Sequence, residues 1–342
     1  MHKPSVLIVS PAKPGANNGN SHTAARWQRF LAPLARVQVA LRWEHQPIDA
    51  LIALHARRSA ESVIDFAARC PGQGLALVLT GTDLYRDLDT DALARHALQC
   101  ASRLVVLQPQ GLMRLAPEVA RRARVIEQSA TRMAHRAVHD GRTRFVAVGH
   151  LREVKDPLTL MQTARLLAGE ADLLIEHIGA ALEPELGEAA RATAAECSLY
   201  DWAGALPARV ARRRIAASDA LVHMSRMEGG ANVVIEALRS GTPVLASRID
   251  GNLGLLGADY DGYFPCGDAG ALAALMRRFA RESAFAEHLR AQCQAREARF
   301  APALERAAVR RLLAELTAAR DADAGIASLT ESSASPPTDP TP

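Results

Sequence analysis

Lysine is nearly missing from this chain. Of its 41 basic residues in 342, only Lys3, Lys13 and Lys155 are lysines, so positive charge is carried by arginine, and the parallel excess of alanine marks the skew as coding bias. Aromatic residues make up only 4% and the arginines are scattered, so a net charge of +4 does not gather into the basic, ring-lined face that nucleic acid requires. Cysteine is sparse as well: Cys70, Cys100, Cys197, Cys266 and Cys293 are odd in number and form no CxxC pair, which excludes a disulfide framework and argues against a zinc site. No apolar run approaches the roughly 18 to 20 uncharged residues of a membrane span, and the first, 6–9, is too short for a signal-peptide core. The expected location is the cytoplasm, without integral membrane association and without a nucleic-acid partner.

The pattern that is present is alternation. Short runs of Val, Ile and Leu at 6–10, 37–41, 50–54, 75–80, 104–108 and 125–128 predict strands, with helices at 23–34 and 60–68 between them. The rhythm breaks at 131–143, which holds His135, His139 and Gly141, and restarts with strands at 145–149, 173–178, 220–224 and 244–247. Helical periods fall at 157–167, 207–217, 232–240, 269–280, 283–299 and 304–319. The expected architecture is α/β: two doubly wound, Rossmann-like domains, 1–135 and 143–300, facing across a cleft at the carboxyl ends of their strands. A C-terminal helix, 301–320, is expected to cross back to the first domain. The segment 321–342 turns to Ser, Pro, Thr and Asp and is expected to be disordered; its acids Asp321, Asp323, Glu331 and Asp339 mask a charge of +8 on the rest.

Chemistry-bearing residues cluster after strands. Glu228 and Glu236 are separated by seven residues, and Gly229-Gly230 between them permits close backbone approach at a helix start. A carboxylate at Glu236 can accept two hydrogen bonds from a vicinal diol. After the strand at 145–149, Gly149 permits a tight turn and Arg152 and Lys155 are suited to a diphosphate, with Pro157 at the next helix start. The loop 11–22 is rich in Asn and Gly but has neither GxGxxG nor GxxxxGK[ST] spacing, so nicotinamide and P-loop readings lose ground. His55, Arg57, Arg58 and Asp83 follow first-domain strands, where an anionic substrate or a proton transfer is to be expected. Asp87-Leu-Asp89 fits a DxD metal pattern, yet acids at a helix start more often serve as caps, and no metal is expected.

Taken together, these segments resemble retaining glycosyltransferases of the GT-B fold with an E-x7-E motif (GT4-like). The Pro11 to Asn20 loop, the Gly149 to Lys155 loop, the Glu228 to Glu236 segment and the stretch from Asp250-Gly-Asn252 to Asp268 follow the family order. The resemblance implies that Lys155 and Arg152 hold a donor diphosphate beside Gly149 and His150. It implies too that Glu236 binds ribose, that Glu228 with Gly229, Gly230, Ala231 and Asn232 contacts the transferred sugar and distal phosphate, and that uracil sits near Gly204 and Leu206. His150 stands where the family often has arginine.

The phrases PGANNGN, LIALHARRSA, LTGTDLYRD, VVLQPQG, GHLREVKDP and SRMEGGANVVIEALRSGTPVLASRIDGN are similar to the selenosugar synthase family of bacterial selenoneine biosynthesis. That resemblance implies two small-molecule substrates, a UDP-sugar and selenophosphate, with no cofactor. Asn18, Gly19, Asn20, Arg57 and Arg58 would then hold the acceptor, and His55 or Asp83 would assist phosphate loss. A GT-B enzyme with a conventional hydroxyl acceptor and a non-catalytic sugar-nucleotide binder are the alternatives.

Overall fold

A computed structural model describes residues 3–12, 16, 18–136, 138 and 140–331, the last of them, 319–331, by backbone alone. Lys13, Gly15, Asn17, His139 and the final segment 332–342 lie outside the described residues.

The first six strands are β1 (Ser5–Val9), β2 (Arg36–Ala40), β3 (Ala50–Leu54), β4 (Gly74–Leu79), β5 (Arg103–Val106) and β6 (Ala123–Val125), ordered β2-β1-β3-β4-β5-β6. The second sheet holds β7 (Thr143–Val148), β8 (Leu173–Ile178), β9 (Tyr200–Gly204), β10 (Ala220–His223), β11 (Val244–Ser247) and β12 (Tyr263–Phe264), ordered β12-β11-β10-β7-β8-β9. Every pairing is parallel. Helices cover both faces of such a sheet, which is why its inner strands read as continuous apolar runs: all of β3 is buried. Each sheet reverses its winding at one point, between β1 and β3 and between β7 and β10, and the loops leaving those strands diverge into a crevice.

Sequence and structure part at the edges. The strands β9 and β12 have no apolar run to announce them: β9 is Tyr-Asp-Trp-Ala-Gly and β12 only Tyr-Phe, and both exist by pairing with a neighbour already in place. The strand expected at 125–128 ends at Val125 instead. Gln128 and Ser129 turn away because their side chains bond to Thr23 and Glu305. The first helix, Gly19–Leu31, begins earlier than its apolar period because the Asn18 side chain accepts from the Ser21 N–H and caps it. The helices Ala92–Cys100, Pro184–Glu196 and Asp250–Leu256 were not anticipated.

The last helix, Pro302–Glu331, lies on the first domain, where Val309, Leu312, Leu313 and Leu316 join a core with Val6, Ile8, Trp27, Ile52 and Val78. A side chain at Gly74 would overlap the Leu316 carbonyl, so β4 and this helix meet backbone to backbone. The helix also continues into the segment expected to be disordered, reaching Glu331; Ala322, Ala324 and Ala327 favour continuation, and no glycine or proline intervenes except Gly325. Among the described residues no helix is long and apolar enough to cross a membrane.

Near the start of this helix Glu305 is buried, at 2% exposure, and receives Arg26 Nε at 2.7 Å, Trp27 Nε1 at 2.8 Å and Ser129 Oγ at 2.5 Å. One carboxylate therefore ties the returning helix to the first helix and to the segment between the domains. Glu305→Ala leaves Arg26 without its counter-charge and is expected to cost about 3–5 kcal/mol, read by urea denaturation. A loss below about 1 kcal/mol would mean that the clamp contributes little.

Candidate active site

The two crevices open on one cavity of about 760 Å³ between the domains. Its second-domain wall is built by the loops after β7 and β10. A side chain at Gly179 would overlap the Gly149 carbonyl, so the β7 and β8 loops run backbone to backbone, and His150 Nδ1 accepts the Ala180 N–H at 3.1 Å. One ring nitrogen of His150 thus holds the loop together. The chain then makes a short turn, Glu153–Lys155, and passes through Asp156 at φ 50°, an uncommon left-handed conformation for a non-glycine residue. Asp156 is anchored by Thr159 Oγ1 at 2.8 Å and by Arg226 Nη2 at 3.1 Å, while the Arg226 N–H donates to the Val154 carbonyl at 2.9 Å. These bonds tie the β7 loop to the β10 loop and put Lys155 and Glu228 side by side.

Lys155 Nζ pairs with Glu228 Oε1, and His223 Nε2 lies 3.4 Å from the same oxygen. Burial by itself would raise the Glu228 pKa, but Lys155 and then His223 outweigh it and hold the carboxyl well below the usual carboxylate range. Glu236 goes the other way. Burial dominates, Arg212 at 3.5 Å and the more distant Arg26 only partly offset it, and its pKa is pushed up to about 7. Arg152 lines the cavity with its buried Nε lacking a hydrogen-bond partner among the described residues.

The glycines between the two glutamates have a second duty that spacing did not disclose. A Cβ on Gly229 would stand 2.5 Å from the Thr80 carbonyl, and one on Gly230 would stand 2.9 Å from Leu107 Cβ. Both permit the second domain to close on the first. Gly230, Ala231 and Asn232 line the cavity, Gly229 does not, and the helix that follows, Asn232–Leu238, is short. Of the expected base site, Leu206 lines the cavity with Ala205, Ala208 and Ala211, while Gly204 turns the chain at φ 67° without lining it.

The first-domain wall carries Asn18, Gly19, Asn20, His22, His55, Arg58 and Thr82. His55 is 3% exposed, sits at φ 75°, and places Nε2 3.1 Å from Thr82 Oγ1. Burial moves its pKa down, Asp83 opposes the shift and Arg58 adds to it, so the ring is neutral at neutral pH. Two expected residues lie elsewhere. Asp83 is fully buried, and its carboxylate is taken up by the N–H groups of Thr80, Gly81 and Ala56 at 2.7–3.1 Å; it shapes the β4 loop and does not line the cavity. Arg57 points away and pairs with Asp91 at 2.9 Å. Asp87 is buried behind His55, whereas Asp89 is exposed near Arg114, so the two do not share a site. Thr82, Gln128 and His223 were not singled out by sequence reading, since each is significant only through its neighbours.

Residues 130–297 match the family model described as "Glycosyl transferases group 1". No curated protein sequence matches the chain. Among solved structures it is similar to a mutant of S. aureus TarM in complex with Fondaparinux, alpha-GlcNAc-glycerol and UDP (TM-score 0.61, 13% identity, 78% of this chain), of which it spans only 55%. It is similar also to sucrose-phosphate synthase from Thermosynechococcus elongatus (TM-score 0.75, 17% identity, 93% of this chain and 100% of that one). Anabaena Alr3699/HepE in complex with UDP and glucose aligns with a TM-score of 0.71 at 15% identity, over 92% of this chain and 100% of that one. The fold is GT-B, as the motif order implied.

The environment of Glu236 in this GT-B cleft has a measurable signature. Its folded pKa of about 7 exceeds its ordinary 4.5, so the protonated carboxyl is preferred on folding; that stability is full below pH 4.5 and is lost as pH rises through 7. Relative to wild type, Glu236→Gln is expected to gain on the order of 3 kcal/mol between pH 4 and pH 8 in urea titrations. An identical difference at both pH values would mean that Glu236 is not held near neutrality.

Proposed function

We propose that the chain is a selenosugar synthase: a UDP-sugar-dependent glycosyltransferase that moves a hexosyl group, such as N-acetylglucosaminyl, to selenophosphate. The observation that carries the reading is the ion pair Lys155–Glu228 on one wall of a single cavity, facing Asn18, Gly19, Asn20, His55 and Arg58 on the other. One wall offers a cation next to a carboxylate for a sugar diphosphate. The other offers an arginine, amides and an imidazole, donors that suit a small, highly charged acceptor.

In this reading uracil rests against Ala205, Leu206 and Ala208, and the Glu236 carboxylate accepts from the ribose diol. Lys155 exchanges Glu228 for the donor diphosphate, and Arg152, with its unpartnered Nε, adds a second cation. As the bond from the anomeric carbon to the diphosphate oxygen breaks, negative charge grows on UDP, where these cations lower the barrier. Glu228, released from Lys155, contacts the sugar. Selenium of selenophosphate attacks the anomeric carbon and forms the carbon–selenium bond without a general base, being already a strong nucleophile. Water then cleaves the phosphorus–selenium bond, releasing phosphate. In this scheme His55, which lines the cavity, would assist that step, a role Asp83 cannot take with its oxygens engaged by backbone N–H groups. No metal ion or cofactor enters the scheme.

Release of UDP from UDP-N-acetylglucosamine is therefore expected to depend on selenophosphate, with a product of the mass of a 1-selenosugar. Transfer to hydroxyl acceptors but never to selenophosphate would sink the reading in favour of a conventional transferase. Lys155→Ala should lower kcat on the order of 100-fold or more; unchanged turnover would remove Lys155 from the leaving-group site. Glu236→Ala should weaken UDP binding about tenfold or more in titration calorimetry, since a charged hydrogen-bond acceptor for the ribose is lost. Equal affinity would take Glu236 out of the ribose site.

A further inference from the structure

The late Asp250-Gly-Asn252 motif has no part in the scheme above, yet it touches the β10 loop. A side chain at Gly251 would overlap the Glu228 carbonyl, so the start of the helix Asp250–Leu256 lies directly against the backbone of that glutamate. Asn252, fully buried, donates Nδ2 to the Ser247 carbonyl at 2.8 Å and to Ser247 Oγ at 3.3 Å. Ser247 Oγ in turn donates to the Ser225 carbonyl at 2.6 Å. Ser225 Oγ is 3.2 Å from His223 Nε2, which also reaches Glu228 Oε1 at 3.4 Å. All of Asn252, Ser247, Ser225 and His223 are buried.

Hydrogen-bond accounting assigns the ring's proton. His223 Nδ1 is buried with no partner among the described residues, so a proton there would have nothing to accept it. A proton on Nε2 has two acceptors, the Glu228 carboxylate and the Ser225 hydroxyl. The ring therefore carries a proton on Nε2, aimed at the carboxylate oxygen that Lys155 also holds.

We infer that His223, seated on the Asn252–Ser247–Ser225 ladder, is a positioning residue that fixes the Glu228 carboxylate when Lys155 leaves it for a donor diphosphate. The inference rests on the reading of Glu228 as a group that contacts the transferred sugar. Without the Nε2–H, Glu228 loses its remaining side-chain partner at the moment its orientation matters. His223 contacts Glu228 and the serine, not the cavity, so nucleotide affinity should not depend on it.

Two variants and one spectrum test this. His223→Gln keeps a donor near the Nε2 position; His223→Leu keeps apolar volume and loses the donor. His223→Leu is expected to lower kcat for UDP release about 10- to 100-fold with KM and UDP affinity nearly unchanged, and His223→Gln to recover most of it. A packing role would give the opposite order, because a buried Gln is the more disruptive side chain. Nitrogen-15 NMR of histidine-labelled protein near neutral pH should show His223 as the Nε2–H tautomer, its signal moving in Glu228→Gln. An Nδ1–H tautomer, a Leu variant with the wild-type rate, or a Gln variant no better than Leu overturns the inference. The spectrum and UDP affinity are read without turnover, so failure of selenophosphate as acceptor would overturn the proposed function and not this one.

Discussion

Two carboxylates eight residues apart stand buried in one cleft, and their pKa values are shifted in opposite directions by the partners each can reach. Glu228 is exposed to the same desolvation as Glu236, but Lys155 and His223 meet its oxygen directly, and it stays ionised. Glu236 has Arg212 only at 3.5 Å and Arg26 farther off, and its carboxyl sits near neutrality. An ion pair in such surroundings is costly to leave half-made. In the proposed function an incoming diphosphate would relieve that cost for Lys155 by substituting its own charge, and a ribose diol would offer Glu236 the donors it lacks. Much else in the second domain, from the left-handed Asp156 to the Arg226 cross-link, serves to hold these side chains at one edge of the sheet.

The shape of the cleft depends on close backbone approach between the domains. Gly229 lies on Thr80, Gly230 on Leu107, and a side chain at Gly254 would overlap Gln108. Any side chain at these points would wedge the domains apart and widen the space between Lys155 and the first-domain loops. The returning helix grips Arg26, Trp27 and Ser129 through its buried Glu305. Arg212 and Arg239 hold the connecting segment by the carbonyls of Thr131 and Ala130. The passage between domains, which has no apolar period of its own, is thus ordered by polar bonds.

The alternation of apolar runs and helical periods, the break near 131–143 and the E-x7-E segment were enough to read two doubly wound domains with a cleft, because burying a parallel sheet on both faces leaves an imprint on composition. The same local logic placed Gly149, Arg152, Lys155, Glu228 and Glu236 after strands, and strands of such sheets end at the crevice. Edge strands such as β9 and β12 left no imprint, since pairing with a neighbour on one side asks little of their side chains.

What one residue does to another across the fold was decided only by tertiary structure. Asp83 looks like a candidate base until its oxygens are found occupied by three backbone N–H groups, and Arg57 looks like an acceptor ligand until Asp91 takes it. His223 belongs to no motif and becomes significant only where Glu228 and Ser225 converge on its Nε2. Periodicity is a property of neighbours in sequence and survives in one dimension. Desolvation, charge pairing and hydrogen-bond saturation depend on distances between residues far apart in the chain, and those exist only once it has folded.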